Sequence, residues 1–245
     1  MRRSFCLLVP LLWSALAWAD GPSDLRASLR RLGDESPVKA EVACMVQEAR
    51  RTLWRPMVQT RAWRFQLQEG GTDLRVDWPR QAGPDPCGVE AWFSPGSSNM
   101  DQGGLEPRVL EALLHPARDL TLLLETSRFQ SEVRDTLGTR PVRVLTFIHE
   151  PWVASQHRGW ITRSEATFRI WMEDDGRPLA LETFQDYEGR HSRLCGRIHS
   201  RSQIKTNYAL LGRRLVVSGR TSEELLYDGG DLTKRTTELS LAPRG

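Results

Sequence analysis

The chain has 245 residues, with 34 Lys and Arg against 31 Asp and Glu, a formal net charge of +3 and 39 % hydrophobic residues. Arg2 and Arg3 stand in an opening segment whose removal leaves a charge of about +1, and the other charges are mixed in sign, so no basic stripe supports a nucleic-acid partner. A chain of this length buries one sizeable core, and a single domain over residues 20–245 is the expectation.

Arg2 and Arg3 precede an apolar run that ends in Ala17-Trp18-Ala19, which reads as a secretory signal peptide over residues 1–19. The alternative is a membrane anchor, but a span needs about 20 apolar residues and no later stretch approaches that. The mature protein is therefore expected in the periplasm or outside the cell. Cys6 leaves with the leader, so Cys44, Cys87 and Cys195 remain in a compartment that permits disulfides. Their odd number leaves one unpaired: Cys44 reads as a buried small hydrophobe, and any pair is expected between Cys87 and Cys195.

Ser23 is placed to cap a short helix in which Leu25, Leu29 and Leu32 form one stripe and Gly33 supplies the stop. From Val38 to Gln47 apolar and polar residues alternate, the pattern of a half-buried strand. A loop at Arg55-Pro56 leads to RAWRFQLQEGGTDLRVDWPR, where Gly70-Gly71 between alternating runs predicts a hairpin. A loop on those glycines pairs Leu67 with Leu74, Phe65 with Val76 and Trp63 with Trp78 on an apolar face, and Arg64 with Asp77 on the wet one.

Pro79 to Gly104 reads as a long loop with a strand-like island from Val89 to Phe93. Leu105 to Phe129 is the main helical stretch, broken at His115-Pro116, with Leu110, Leu113 and Leu114 on one stripe. A second hairpin is expected around Leu137-Gly138-Thr139-Arg140-Pro141. A third turns on Asp175-Gly176 and pairs Met172 with Leu179, Ile170 with Leu181 and Arg169 with Glu182. The tail adds strands around Gly212 and around Asp228-Gly229-Gly230-Asp231. About ten strands and two or three helices make an α+β fold on a large, curved antiparallel sheet.

Catalytic signals are few. No G-x-S-x-G elbow occurs, and Glu173-Asp174-Asp175 reads as a solvated turn beside a glycine. His191, Cys195 and His199 are spaced H-x3-C-x3-H and share a face, a donor set suited to zinc or copper. Arg190, Arg193, Arg197 and Arg201 around them oppose a cation. Trp63 and Trp78 read as core, while Trp92, Trp152, Trp160 and Trp171 fall near loops or on the wetter face.

The V-K-A-E-V run at Val38 to Val42, L-R-V-D-W-P at Leu74 to Pro79, A-W-F-S-P at Ala91 to Pro95 and F-R-I-W-x-E-D-D-G-R-P-L at Phe168 to Leu179 carry a resemblance. With the leader, short helix, hairpin chain and helix pair, the layout resembles the periplasmic lipoprotein-carrier superfamily. The resemblance implies an open β half-barrel closed by helices, with an apolar cavity for acyl chains. Trp78-Pro79-Arg80 only partly echoes the carriers' arginine-proline strand signature, so a relative binding another lipid or a protein partner fits better than a lipoprotein shuttle.

The expectation is a non-enzymatic envelope protein, without cofactor, that holds a lipid between the sheet and the Leu105 to Phe129 helices. Trp63, Phe65, Val76, Trp78, Leu110, Leu113 and Leu114 are the candidate ligand-binding residues. Two alternatives stand beside it: a metal-binding module using His191, Cys195 and His199, and a partner-binding structural domain with a filled core.

Overall fold

The structure, a computed structural model, describes residues 20–33, 36–51, 56–70, 73–77, 107–151, 158–190 and 196–244. The leader, the island at Val89 to Phe93, Trp78, Trp92, Trp152, Cys87, His191 and Cys195 lie outside the described residues.

Helix α1 (Gly21–Arg31) precedes strands β1 (Val38–Arg51), β2 (Pro56–Gly70) and β3 (Asp73–Asp77). Helices α2 (Pro107–Leu114) and α3 (Pro116–Glu125) follow. The remaining strands are β4 (Ser127–Leu137), β5 (Arg140–His149), β6 (Ile161–Met172), β7 (Pro178–Arg190), β8 (Arg197–Leu211), β9 (Arg214–Asp228) and β10 (Asp231–Pro243). They form one ten-stranded sheet in the order β3-β2-β1-β10-β9-β8-β7-β6-β5-β4. Every neighbouring pair is antiparallel. The sheet stays open, with β3 and β4 at its edges, and the expected curved antiparallel α+β fold is what the chain adopts.

Tight turns set most of this arrangement. Gly138, Gly176, Gly212, Gly229 and Gly230 all have positive φ, and each stands in a connection between consecutive strands. Pairing of β1 with β10 then sets the first strand beside the last, third and fourth in the sheet order.

Local boundaries differ from the sequence reading in four places. The helix starts at Gly21, so Ser23 lies in its first turn and donates to Asp20 Oδ2 at 2.7 Å instead of capping. The helical stretch ends at Glu125 rather than Phe129, where the Thr126 hydroxyl bonds Leu122 O at 3.1 Å and Phe129 joins β4. In the first hairpin Gly70 pairs with Asp73, which moves Leu67 opposite Val76 and Gln66 opposite Asp77. The shift is two residues, so the apolar face is kept. At the third, Gly176 N–H donates to Glu173 O at 3.0 Å and the register shifts between Trp171 and Met172, so Met172 meets Pro178 while Ile170 still meets Leu181. The glycine follows the turn as a bulge residue because its φ of 84° suits that position.

Two apolar clusters occupy the inner face. One joins Leu25 and Leu29 of α1 and Leu120 and Leu124 of α3 to Leu145, Phe147, Phe168 and Ile170. The other joins Leu110, Leu113 and Leu114 of α2 to Val38, Ala40, Val42, Phe65, Leu67, Val217, Leu239 and Leu241. Tyr208 packs against both.

Candidate functional site

Alternation along β1 turns Val38, Ala40, Val42 and Cys44 inward, and the register places Leu67 and Phe65 beside Ala40 and Val42. Helix α2 lays three leucines on this surface. Phe65, Leu110, Leu113 and Leu114 are at most 1 % exposed, so four of the seven candidate residues meet in one filled cluster. Val76 packs half-buried against its margin. Trp63 stands half-buried opposite Cys44, one pair beyond Phe65, and Trp78 lies outside the described residues.

Two buried arginines fix the helices to the sheet. Arg214, only 2 % exposed, donates to Leu114 O at 3.0 Å and to Ser36 O at 2.7 Å, pairs with Glu69 and contacts His115. Glu69 and His115 also bond each other. This ties the C-terminal end of α2 to the ends of β2 and β9. Arg143 donates to Glu132 Oε1 at 2.6 Å and Asp24 Oδ2 at 2.7 Å, tying α1 to β4 and β5. The Glu132 hydrogen bond raises its pKa most, ahead of the opposing effect of burial and the further bond to Asp24. Neither arginine announced itself in the sequence.

The inner face changes character along the strands. Paired residues Trp63, Cys44, Leu239, Arg220 and Thr206 form one row across β2, β1, β10, β9 and β8. The next inward row is Arg61, Val46, Thr237, Ser222 and Ile204, followed by Gln59, Glu48, Arg235, Glu224 and Ser202. Neither apolar cluster contains any residue of these two rows, and Glu48 and Arg235 pair there at 2.9 Å. One end of the trough is therefore apolar and helix-covered, and the other is polar.

Burial governs the ionisable groups at that boundary. It pushes the Cys44 thiol up to about 11 and the Tyr208 phenol up as well. Burial also lowers the pKa of Arg220, against the opposing fields of Tyr208, Glu224 and Asp119. Asp119 of α3 is raised by burial, against the fields of Arg118, Arg220 and His115.

The outer face carries features that sequence reasoning missed. A depression of about 660 Å³ spans β2, β1, β10 and β9, bordered by Met45, Arg64 and Glu238. Ala43 pairs with Ser240 and Met45 with Ala62, and these positions alternate with inward Val42 and Cys44, which puts the depression outside the trough. The small side chains at Ala43, Ala62, Gly219 and Ser240 were its signal.

His199 of β8 bonds Asp186 at 3.0 Å, and Arg201 also donates to Asp186, at 2.9 Å. Burial opposes ionisation of Asp186, but the hydrogen bonds from Arg201 and His199 outweigh it and hold the carboxyl below its usual range. Among the described residues no group of three His, Cys, Asp or Glu is placed to hold a metal ion. His191 and Cys195 lie outside the described residues. No helix among the described residues is long and apolar enough to cross a membrane.

No family model matches the chain, and no curated protein matches it. Among solved structures, the chain is similar to a DUF1329 family protein from Desulfovibrio piger, with a TM-score of 0.32, 10 % identity, and 91 % of each chain covered.

Proposed function

We propose that this chain is a non-enzymatic half-barrel of the cell envelope that binds an acyl chain, free or on a lipidated partner, on the inner face beneath α2. The observation that carries this reading is the apolar cluster of β1, β2, β9 and β10, roofed by a separate helix of eight residues. The leader over residues 1–19 supports export to the envelope.

Because the cluster is filled, an acyl chain enters by displacing α2 leucines rather than by occupying a void. Exposing Leu110, Leu113 and Leu114 costs roughly 5–9 kcal/mol, at about 1.5–3 kcal/mol per fully buried side chain. A saturated chain of about 16 carbons recovers roughly 12 kcal/mol at ~0.8 kcal/mol per methylene, while one of about 8 carbons recovers only roughly 6. The protein therefore selects long chains.

Mass spectrometry of a solvent extract from protein purified natively out of the periplasm tests this directly. A stoichiometric long-chain amphiphile, lost in Trp63→Asp, is the expected result. A folded Trp63→Asp protein that keeps its lipid refutes the site.

A second reading is a partner-binding structural domain, favoured by the full burial of Phe65, Leu110, Leu113 and Leu114. A lipid-free extract from repeated preparations selects it. The metal-binding alternative would have His199 ligate through Nδ1 while its Nε2 keeps Asp186, and stoichiometric zinc or copper in the purified protein is its test.

A further inference from the structure

We propose that Arg220 anchors the anionic head of a single-chain amphiphile whose tail lies on the cluster beneath α2. This rests on the acyl-binding reading and names the class of ligand. Arg220 stands on the inner face of β9, opposite Leu239 of β10 and Thr206 of β8. Leu239 belongs to the apolar cluster, so the guanidinium stands where the apolar surface ends and the polar rows begin. An amphiphile crossing that boundary places its tail on Leu239, Val217 and Phe65 and its head beside the arginine.

Unlike Arg143 and Arg214, which are held by direct carboxylate contacts, Arg220 has no hydrogen bond or ion pair with another described residue. Its ionisable surroundings are the Tyr208 phenol, Glu224 four residues along β9 and Asp119 of α3, none of which makes a direct contact with it. A half-buried cation without direct compensation is costly, and a carboxylate or phosphate head supplies the missing bidentate partner.

The test is displacement of cis-parinaric acid from the mature protein by three ligands of equal chain length: a fatty acid, a lysophosphatidylglycerol and a neutral monoacylglycerol. The wild type is expected to prefer one or both anionic ligands over the neutral one, and which of them wins separates a carboxylate head from a phosphate head. Arg220→Gln is expected to weaken the anionic ligands by about tenfold or more, the scale of one charge-assisted hydrogen bond, and the neutral one by less than about twofold. Arg220→Met is expected to raise Tm while losing the anionic preference, because it removes a desolvated charge with no direct partner. Unchanged anionic affinity in Arg220→Gln, or an equal loss for all three ligands, overturns the anchor. If Arg220→Gln does not fold, Arg220→Lys decides the matter: it keeps the charge and must keep the anionic preference. A wild type that binds the neutral ligand as well as the anionic ones refutes the anchor alone, whereas one that binds none of the probes refutes the acyl-binding reading itself.

Discussion

Truncating Arg214 to Ala removes the tie that holds α2 to the sheet. The side chain gives one hydrogen bond to the last carbonyl of α2, one to Ser36 O, and a charge to Glu69, whose own side chain is only 10 % exposed. Each buried carbonyl left without a donor costs about 1–3 kcal/mol, and an uncompensated buried charge costs about 3–5 kcal/mol. Water entering the vacated volume and the Glu69 contact with His115 relieve part of this, so a net loss of about 4 kcal/mol is expected. For a slope of ~3 kcal/mol/M in urea, the midpoint falls by roughly 1.3 M. Equilibrium unfolding followed by circular dichroism and tryptophan fluorescence measures it. The paired variant Arg214→Met with Glu69→Gln removes both charges and is expected to recover at least half of the loss. A single-variant loss below about 1 kcal/mol refutes the view that this cluster secures the helix.

Four further outcomes follow from the same structure. Gly176→Ala sets a Cβ 2.5 Å from Asp24 O at a φ of 84°, so it strains both the turn and the seat of α1; a loss of about 2 kcal/mol or more is expected in urea unfolding. Gly138→Ala has only its φ of 67° to overcome, with nothing within 4 Å, and is expected to lose about 1 kcal/mol. Cys44 is a free, buried thiol raised to about 11, so it resists iodoacetamide at pH 8 in the folded protein and reacts once unfolded, read by peptide mass mapping. Because its folded pKa lies above the ordinary value of 9.0, it contributes stability that is whole below pH 9 and lost as pH rises toward 11. Cys44→Ala is expected to flatten the fall in stability across that window, and an unchanged pH profile refutes the assignment.

The sheet was legible because its signals are local. Alternation from Val38 to Cys44 gave the buried face of β1, and His115-Pro116 gave the break between α2 and α3. The first hairpin register was not fixed by pattern: loops on residues 70–71 or 71–72 both keep Phe65 and Leu67 inward, since the two registers differ by an even number of residues. Arg143 and Arg214 were invisible for a different reason. Apart from Glu132, 11 residues from Arg143, the partners named lie 119 residues away at Asp24, and 100 and 178 residues away at Leu114 and Ser36, so in sequence each is one more arginine among many.

The candidate site was half legible on the same grounds. Period-two alternation names the inward residues of a strand but not how far along it the helices reach, and that reach decides what the inward residues do. Phe65 and Trp63 have the same parity and nearly the same chemistry, yet Phe65 lies under the leucines of α2 and Trp63 lies one pair further out. On β9 the same step takes the inner face from Val217 in the cluster to Arg220 beside Leu239, with a register irregularity between Asn207 and Tyr208 on the neighbouring strand. That irregularity changes which residues of β8 meet β9, so strict alternation counted from Leu215 and Val217 puts Arg220 on the outer face. The polar boundary of the trough is thus written by a bulge and by the length of a helix, two properties set by tertiary packing rather than by the residues that line the boundary.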